Sequence, residues 1–429
     1  MTVVAWVSVV VFLAAYTLIA TEKVHRVAAA LGAAGIMLLL HATDAEAAFF
    51  SEHSGIDWNV IFLLLGMMVI VGVLKQTGVF EYLAIWAAKR AKGRPFRLMV
   101  LLVVITALAS ALLDNVTTVL LIAPVTFLVC ERLAVSAVPF LIAEAMASNI
   151  GGAATLVGDP PNIIIASRGG LSFNDFLIHM APMVIVLMIV FVGLCWLMFG
   201  RHMRQDPERA AAIMALDEKE AIADRRLLWQ SLAVLALVMA AFVLHPVLHY
   251  EPSVVALLGA GILVAATKVT TEEAISEVEW PTLVFFAGLF VMVGGLVETG
   301  VIGNLSEAAV EATAGQLELT TMGLLGASAA LSAIVDNIPY VATMSPIVAD
   351  LVNAGGGDGS TQVLWWALAF GADLGGNATA VGAAANVVVL GIAARNHTPI
   401  SFWQFTKYGL IVTVVTVTLV APYLWLRYL

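Results

Sequence analysis

Residues 149–162 read NIGGAATLVGDPPN, and residues 373–386 read DLGGNATAVGAAAN. Working outward from this pair, two more blocks repeat in the same order. Trp58-x7-Gly66 and Gln76-Thr77-Gly78-Val79 recur as Trp280-x7-Gly288 and Glu298-Thr299-Gly300-Val301. Asp114-Asn115, followed by Pro124, recurs as Asp336-Asn337 followed by Pro346. The offset stays near 222–224 throughout. Three blocks in one order at one offset mark an internal duplication.

Composition says where such a chain lives. Of 429 residues, 61% are hydrophobic and 12% charged, against roughly 45–50% and about 25% in soluble domains. Too few charges remain to wet a surface, which excludes a soluble enzyme, a disordered chain and a secreted disulfide scaffold. The expected fold class is an all-α polytopic membrane protein. At about 20 residues per span there is room for about ten crossings. Apolar runs place them near 3–20, 27–40, 58–74, 133–166 (interrupted), 181–200, 227–248, 253–267, 280–297, 362–394 (interrupted) and 408–426. The run at 3–20 has no basic residue before it and no clear cleavage site after it, so it reads as a first span rather than a signal peptide. Two further stretches, 98–129 and 317–350, are split by Asp114-Asn115 and Asp336-Asn337. A polar kink halfway along an apolar run suggests a re-entrant hairpin, with its tip covered by protein or a wet cavity.

Loop charge gives orientation. Lys89, Arg90, Lys92, Arg94 and Arg97 put 89–97 inside, as do Lys23–Arg26 and the 201–226 segment with Arg201, Arg204, Arg209, Lys219, Arg225 and Arg226. The 41–57 loop holds four acids and no Lys or Arg, and falls outside. The counterpart of 89–97, about 311–319, has Glu311 and Glu318 and no Lys or Arg. The halves are therefore expected to be inverted: residues 1–200, a cytoplasmic linker 201–226, and residues 227–429, each half with five spans and one hairpin. Inverted repeats with broken helices point to a secondary transporter in the cytoplasmic membrane, with its site near the midplane.

The polar positions offer the chemistry. An acid at the bilayer centre costs at least ~2.5–3.5 kcal/mol and is a functional candidate by default. Asp114-Asn115 and Asp336-Asn337 could cap the tip helices; an Asp beside Asn in both repeats favours a titrating or cation-coordinating role. In the glycine stretches, Asn149, Gly151, Gly152, Thr155 and Asn162 of the first repeat and Asp373, Gly375, Gly376, Asn377, Thr379 and Asn386 of the second are the candidates. Mid-span glycines let the backbone turn, exposing half-helix ends. Close helix packing is the structural alternative, but two prolines after Asp159 cannot continue a regular helix. Asp159 has no counterpart, and Asn149 exchanges with Asp373, so these acids are one-sided. Glu144 is a further intramembrane acid, a proton relay or simply hydrogen-bonded. Thr117, Ser148, Thr155 and Thr379 add hydroxyls near the same loops.

Other chemistries find no support. A net charge of −10 does not suggest nucleic-acid binding. Cys130 and Cys195 form neither a disulfide framework nor a thiolate site. His245 and His249 lie at a span end interrupted by Pro246, and no metal site, cofactor or catalytic set is assigned. No Walker A motif is present, so ATP hydrolysis is not expected in the chain itself; a separate ATPase subunit stays open. No Lys or Arg is expected inside the polar clusters, the nearest being Arg168. A multiply charged anion is therefore harder to hold than a neutral or weakly acidic solute.

Leu113-Asp114-Asn115-Val116-Thr117-Thr118, the 148–155 stretch with Gly158-Asp159-Pro160-Pro161-Asn162, and Asp336-Asn337-Ile338-Pro339 resemble the ion transporter superfamily. The branch they look like joins ArsB-type arsenite permeases, NhaD-type Na⁺/H⁺ antiporters, citrate–metal (CitM) carriers, and the melanosomal P protein group with its bacterial relatives. The resemblance implies a scaffold and a moving transport domain in each half, a homodimer in many members, and a site surrounded by 114–115, 149–155, 336–337 and 373–379. Dicarboxylate carriers of the superfamily show Ser-Asn-Thr at the tips where this chain has Asp-Asn. The expected function is cation-coupled, proton-linked secondary transport of a small inorganic solute or anion in the lipid bilayer, with H⁺ or Na⁺ as coupling ion. Arsenite/antimonite efflux leads; Na⁺/H⁺ antiport, citrate-type transport and a channel-like anion pore are the alternatives.

Overall fold

The computed structural model describes residues 2–21, 23–203, 218–313, 315–356 and 359–429. Part of the expected linker, 204–217 with Arg204 and Arg209, lies outside the described residues. Among those described there are helices and connectors but no strand. Eight helices are long and apolar enough to cross a membrane, and four shorter apolar ones, Arg26–Leu39, Pro252–Ala266, Val363–Gly375 and Ala384–Arg395, join them.

The duplication is visible in how the ends are built. Gly78 (φ 77°) and Gly300 (φ 74°) each take the left-handed conformation that starts a new helix, Val79–Arg90 and Val301–Ala312. Neither helix falls within an apolar run expected from sequence, because charged residues such as Glu81, Lys89 and Glu307, Glu311 interrupt the pattern. The Lys89 ammonium donates to Glu218, fastening the end of the linker to the first of them.

The outer helices are exchanged between halves. Helix Arg26–Leu39 packs on Trp280–Glu298 of the other half, and Pro252–Ala266 packs on Trp58–Lys75. Small residues bring these backbones together: a Cβ on Gly66 would sit 2.6 Å from the Ala256 carbonyl carbon, and one on Gly288 3.1 Å from that of Ala30.

The two split stretches form helix pairs, Pro95–Leu112 with Asn115–Leu133 and Leu317–Ser332 with Asn337–Ala354. At 1.5 Å per residue the arms run roughly 24–28 Å, longer than arms that only reach mid-membrane require. The two interrupted spans are broken as expected, into Val138–Gly152 with Pro160–Gly169 and Val363–Gly375 with Ala384–Arg395. Each leading arm lies along its own half's broken helix, while each tip helix packs against the re-entering piece of the other half. The halves are interlocked rather than side by side.

Candidate functional site

The exchange of tip helices gathers eight polar side chains where the broken helices meet. Asn115, Asn149, Asp159, Asn162, Asn337, Asp373, Asn377 and Asn386 are each at most 2% exposed. Proline placement explains part of this: Pro160 and Pro161 start a helix whose first N–H groups need no partner, leaving Asp159 extended at its head.

Asp159 is the centre of the cluster. Its Oδ2 accepts from Asn115 Nδ2 at 2.8 Å and from Asn337 Nδ2 at 3.3 Å. Asn115 Nδ2 also reaches Asn149 Oδ1 at 3.1 Å, and Asn149 Nδ2 donates to Asn377 Oδ1 at 3.0 Å and Asn386 Oδ1 at 3.2 Å. One chain of amides thus links both tips to both broken helices. Neither oxygen of Asp373 makes a hydrogen bond of normal geometry among the described residues, although Asn162 lies beside it. Asn115 Oδ1 and Asn162 Oδ1 are also unfilled acceptors there. Unfilled oxygens in a dry interior are unfavourable, so such a cage is suited to receive a proton or another cation.

The remaining expected residues shape the backbone around the cage. Thr155 Oγ1 donates to Ala111 O and Thr379 Oγ1 to Ala333 O, both at 2.6 Å. Ser110 Oγ donates to Ser148 O, as Ser332 Oγ does to Ala372 O, both at 2.7 Å. At Gly151 a Cβ would meet Ala107 O at 2.4 Å, and at Gly375 it would meet Ala329 O at 2.6 Å. Gly152 and Gly376 lie against the carbonyl oxygens of Gly158 and Gly382. Glu144 stands apart: Thr126 Oγ1 donates to it at 2.6 Å, and its second oxygen has no partner among the described residues.

The tip aspartates are not in the cage. The Asp114 carboxylate caps its helix by accepting from the backbone N–H of Thr117 at 2.8 Å. Asp336 accepts from the N–H of Ile338 at 3.1 Å. Asp336 opens instead onto a cavity of about 420 Å³, shared with His25, Arg26, Val116, Glu279 and Val381.

That cavity corrects one expectation. Arg168 is not the basic group nearest the clusters: it donates to the backbone carbonyls of Glu52 and His53 at the rim of a second cavity. Arg26 comes closer, 4.0 Å from Asp336, while its guanidinium bonds Thr282 Oγ1 at 3.3 Å and lies 5.4 Å from the Phe285 ring centroid. The contact spans 310 positions of sequence, so no local pattern announces it.

Comparisons bear on this geometry. The sequence model of the citrate transporter family matches residues 16–371. An uncharacterized transporter of Mycobacterium tuberculosis is 59% identical, with 98% of each chain covered. A 46 kDa membrane protein of Mycobacterium leprae is 58% identical, with 99% of each covered. The human P protein is 33% identical over 95% of this chain and 58% of its own length. Among solved structures, the Alcanivorax borkumensis YdaH transporter, described as having an unusual topology, matches with a TM-score of 0.57 at 16% identity, covering 85% of this chain and 84% of that one. At that identity the likeness is one of fold.

Proposed function

We propose, starting from a chain that belongs to the citrate transporter family and is a multi-pass membrane transporter rather than an enzyme, that it carries out cation-coupled secondary transport with Asp159 and Asp373 as the coupling acids. The proton is the leading coupling ion, and the cytoplasmic membrane is the proposed location. The observation that carries this reading is the cage: two carboxyls and six amides at most 2% exposed, with both Asp373 oxygens unfilled. Inverted halves would place the cage between two opposed cavities, one beside Asp336 and one beside Arg168.

Substrate class follows from charge. The cage residues include no Lys, Arg or His, so a neutral inorganic hydroxide such as arsenite or antimonite, exported from the cell, fits better than a polyanion. A second reading, citrate-type transport, is favoured by the family's description and by Arg26 beside Asp336. Na⁺/H⁺ antiport would use the same cage without a solute.

Purified protein in proteoliposomes separates these. With arsenite, antimonite, citrate and Na⁺ offered in turn, flux of one of them should follow an imposed pH gradient and be lost in Asp373→Asn. Flux that ignores pH and Na⁺ gradients alike would remove the coupling claim. Conductance merely altered by Asp159→Asn or Asp373→Asn would indicate a pore.

A further inference from the structure

We propose that Asp159 is a positioning residue that ties the two tips together, and that a proton on it frees the second tip while the first stays bound. The inference deepens the coupling reading above and rests on it for its role in transport. Asn115 and Asn337 occupy equivalent places in the two halves, yet both donate to one carboxylate, because the position equivalent to Asp159 is Ala383. A single acid therefore serves two tips.

The two bonds are unequal. Asn115 Nδ2 sits 2.8 Å from Oδ2, whereas Asn337 Nδ2 straddles the carboxylate at 3.3 Å from Oδ2 and 3.5 Å from Oδ1. A carboxylate accepts with both oxygens; once protonated, one oxygen becomes a donor. The long, shared contact to Asn337 is lost first, and the short one to Asn115 remains. The released tip carries Asp336, which lines the cavity beside Arg26 and Glu279, so release opens the cage toward that cavity. The charged groups facing Asp159 are Asp114 on the first tip, Asp336 on the second and Asp373 on the broken helix; Arg26 stands 4.0 Å behind Asp336. Asp114 and Asp336 stay engaged with the backbone N–H groups of Thr117 and Ile338, which leaves Asp159 as the group whose proton alters tip contacts.

The test uses the full chain with Cys130→Ser, Cys195→Ser and Ile338→Cys, labelled with a maleimide in detergent without substrate or gradient. Ile338 is 3% exposed beside the second tip. Rates are normalised at each pH to Trp229→Cys, whose position is 71% exposed. From neutral to mildly acidic buffer the normalised rate should rise about tenfold, the worth of one charge-assisted hydrogen bond. Asp159→Asn, which keeps a single acceptor oxygen, and Asn337→Ala should label fast at every pH, while Asn115→Ala keeps the parent's pH profile. A flat profile in the parent, or an Asp159→Asn profile that follows the parent's, overturns the proposal. Proteoliposome flux is read separately: flux that ignores pH beside pH-dependent labelling defeats the coupling reading and leaves the tie standing.

Discussion

Asn162 and Asn386, 224 positions apart, make the same pair of hydrogen bonds. Asn162 Nδ2 donates to Gly152 O at 3.4 Å and Thr155 O at 3.1 Å; Asn386 Nδ2 donates to Gly376 O at 2.8 Å and Thr379 O at 2.9 Å. Each asparagine closes its own helix break by donating to two carbonyls there; Gly152 O and Thr379 O also take long backbone bonds from the Thr155 N–H at 3.4 Å and the Gly382 N–H at 3.3 Å.

Replacing either asparagine by alanine removes both side-chain bonds and leaves one buried carbonyl, Thr155 O or Gly376 O, without its donor. Asn162→Ala and Asn386→Ala should each lower stability by about 1–3 kcal/mol per group left unsatisfied, with Asn386→Ala the costlier, since its bonds are shorter. Thermal melting of the detergent-solubilised protein reads the difference. Equal melting of both variants and the parent would show that the breaks do not depend on these amides.

The glycine contacts make a second case. Gly151→Ala and Gly375→Ala force a methyl against backbone atoms of Ala107 and Ala329 at 2.4–2.6 Å and should cost about 1–3 kcal/mol by overpacking. Gly323→Ala, in helix Leu317–Ser332 with nothing within 4 Å, should be neutral or slightly stabilising, because alanine is the better helix former. Expression level and melting temperature compare the three directly.

Arg26 should matter to charge rather than to stability. Its ion pair with Asp336 is long, with the two side chains 34% and 19% exposed, and such pairs contribute about 0–1 kcal/mol. Arg26→Gln should therefore melt with the parent. If an anionic solute passes this cavity, its KM should rise about tenfold, as for a lost hydrogen bond to a charged group, while KM for neutral arsenite stays put.

The end of the last helix offers a pH test. His179, in the short helix Phe173–His179, stacks on Trp366 with centroids 4.8 Å apart and pairs through Nδ1 with the Tyr428 hydroxyl; Tyr423 donates to its carbonyl at 2.6 Å. Burial holds the imidazole below its usual value, Arg427 adds to this, and Asp175 opposes it. A depressed histidine favours the folded state fully above its unfolded pKa, and that contribution is lost as pH falls below it. Melting should drop between about pH 7 and pH 5, and the drop should shrink in His179→Gln.

Much of this is legible in the sequence alone. The breaks at 153–159 and 376–383 and the polar splits at 114 and 336 follow from glycine, proline and acid placed inside apolar runs, and the structure has them there. What sequence could not assign was depth. Asp114 and Asp159 both read as membrane acids, yet one caps a tip and the other sits at the centre of the cage; only the crossing of tip helices between halves decides which is which.

The fit of Gly151 to Ala107 and of Gly375 to Ala329 has a mechanical consequence. Two backbones meshed that tightly cannot slide past each other, so each leading arm and its broken helix form one rigid unit. Opening of the cage then falls to the tips, which lie outside these meshed pairs, and not to slip between leading arm and broken helix.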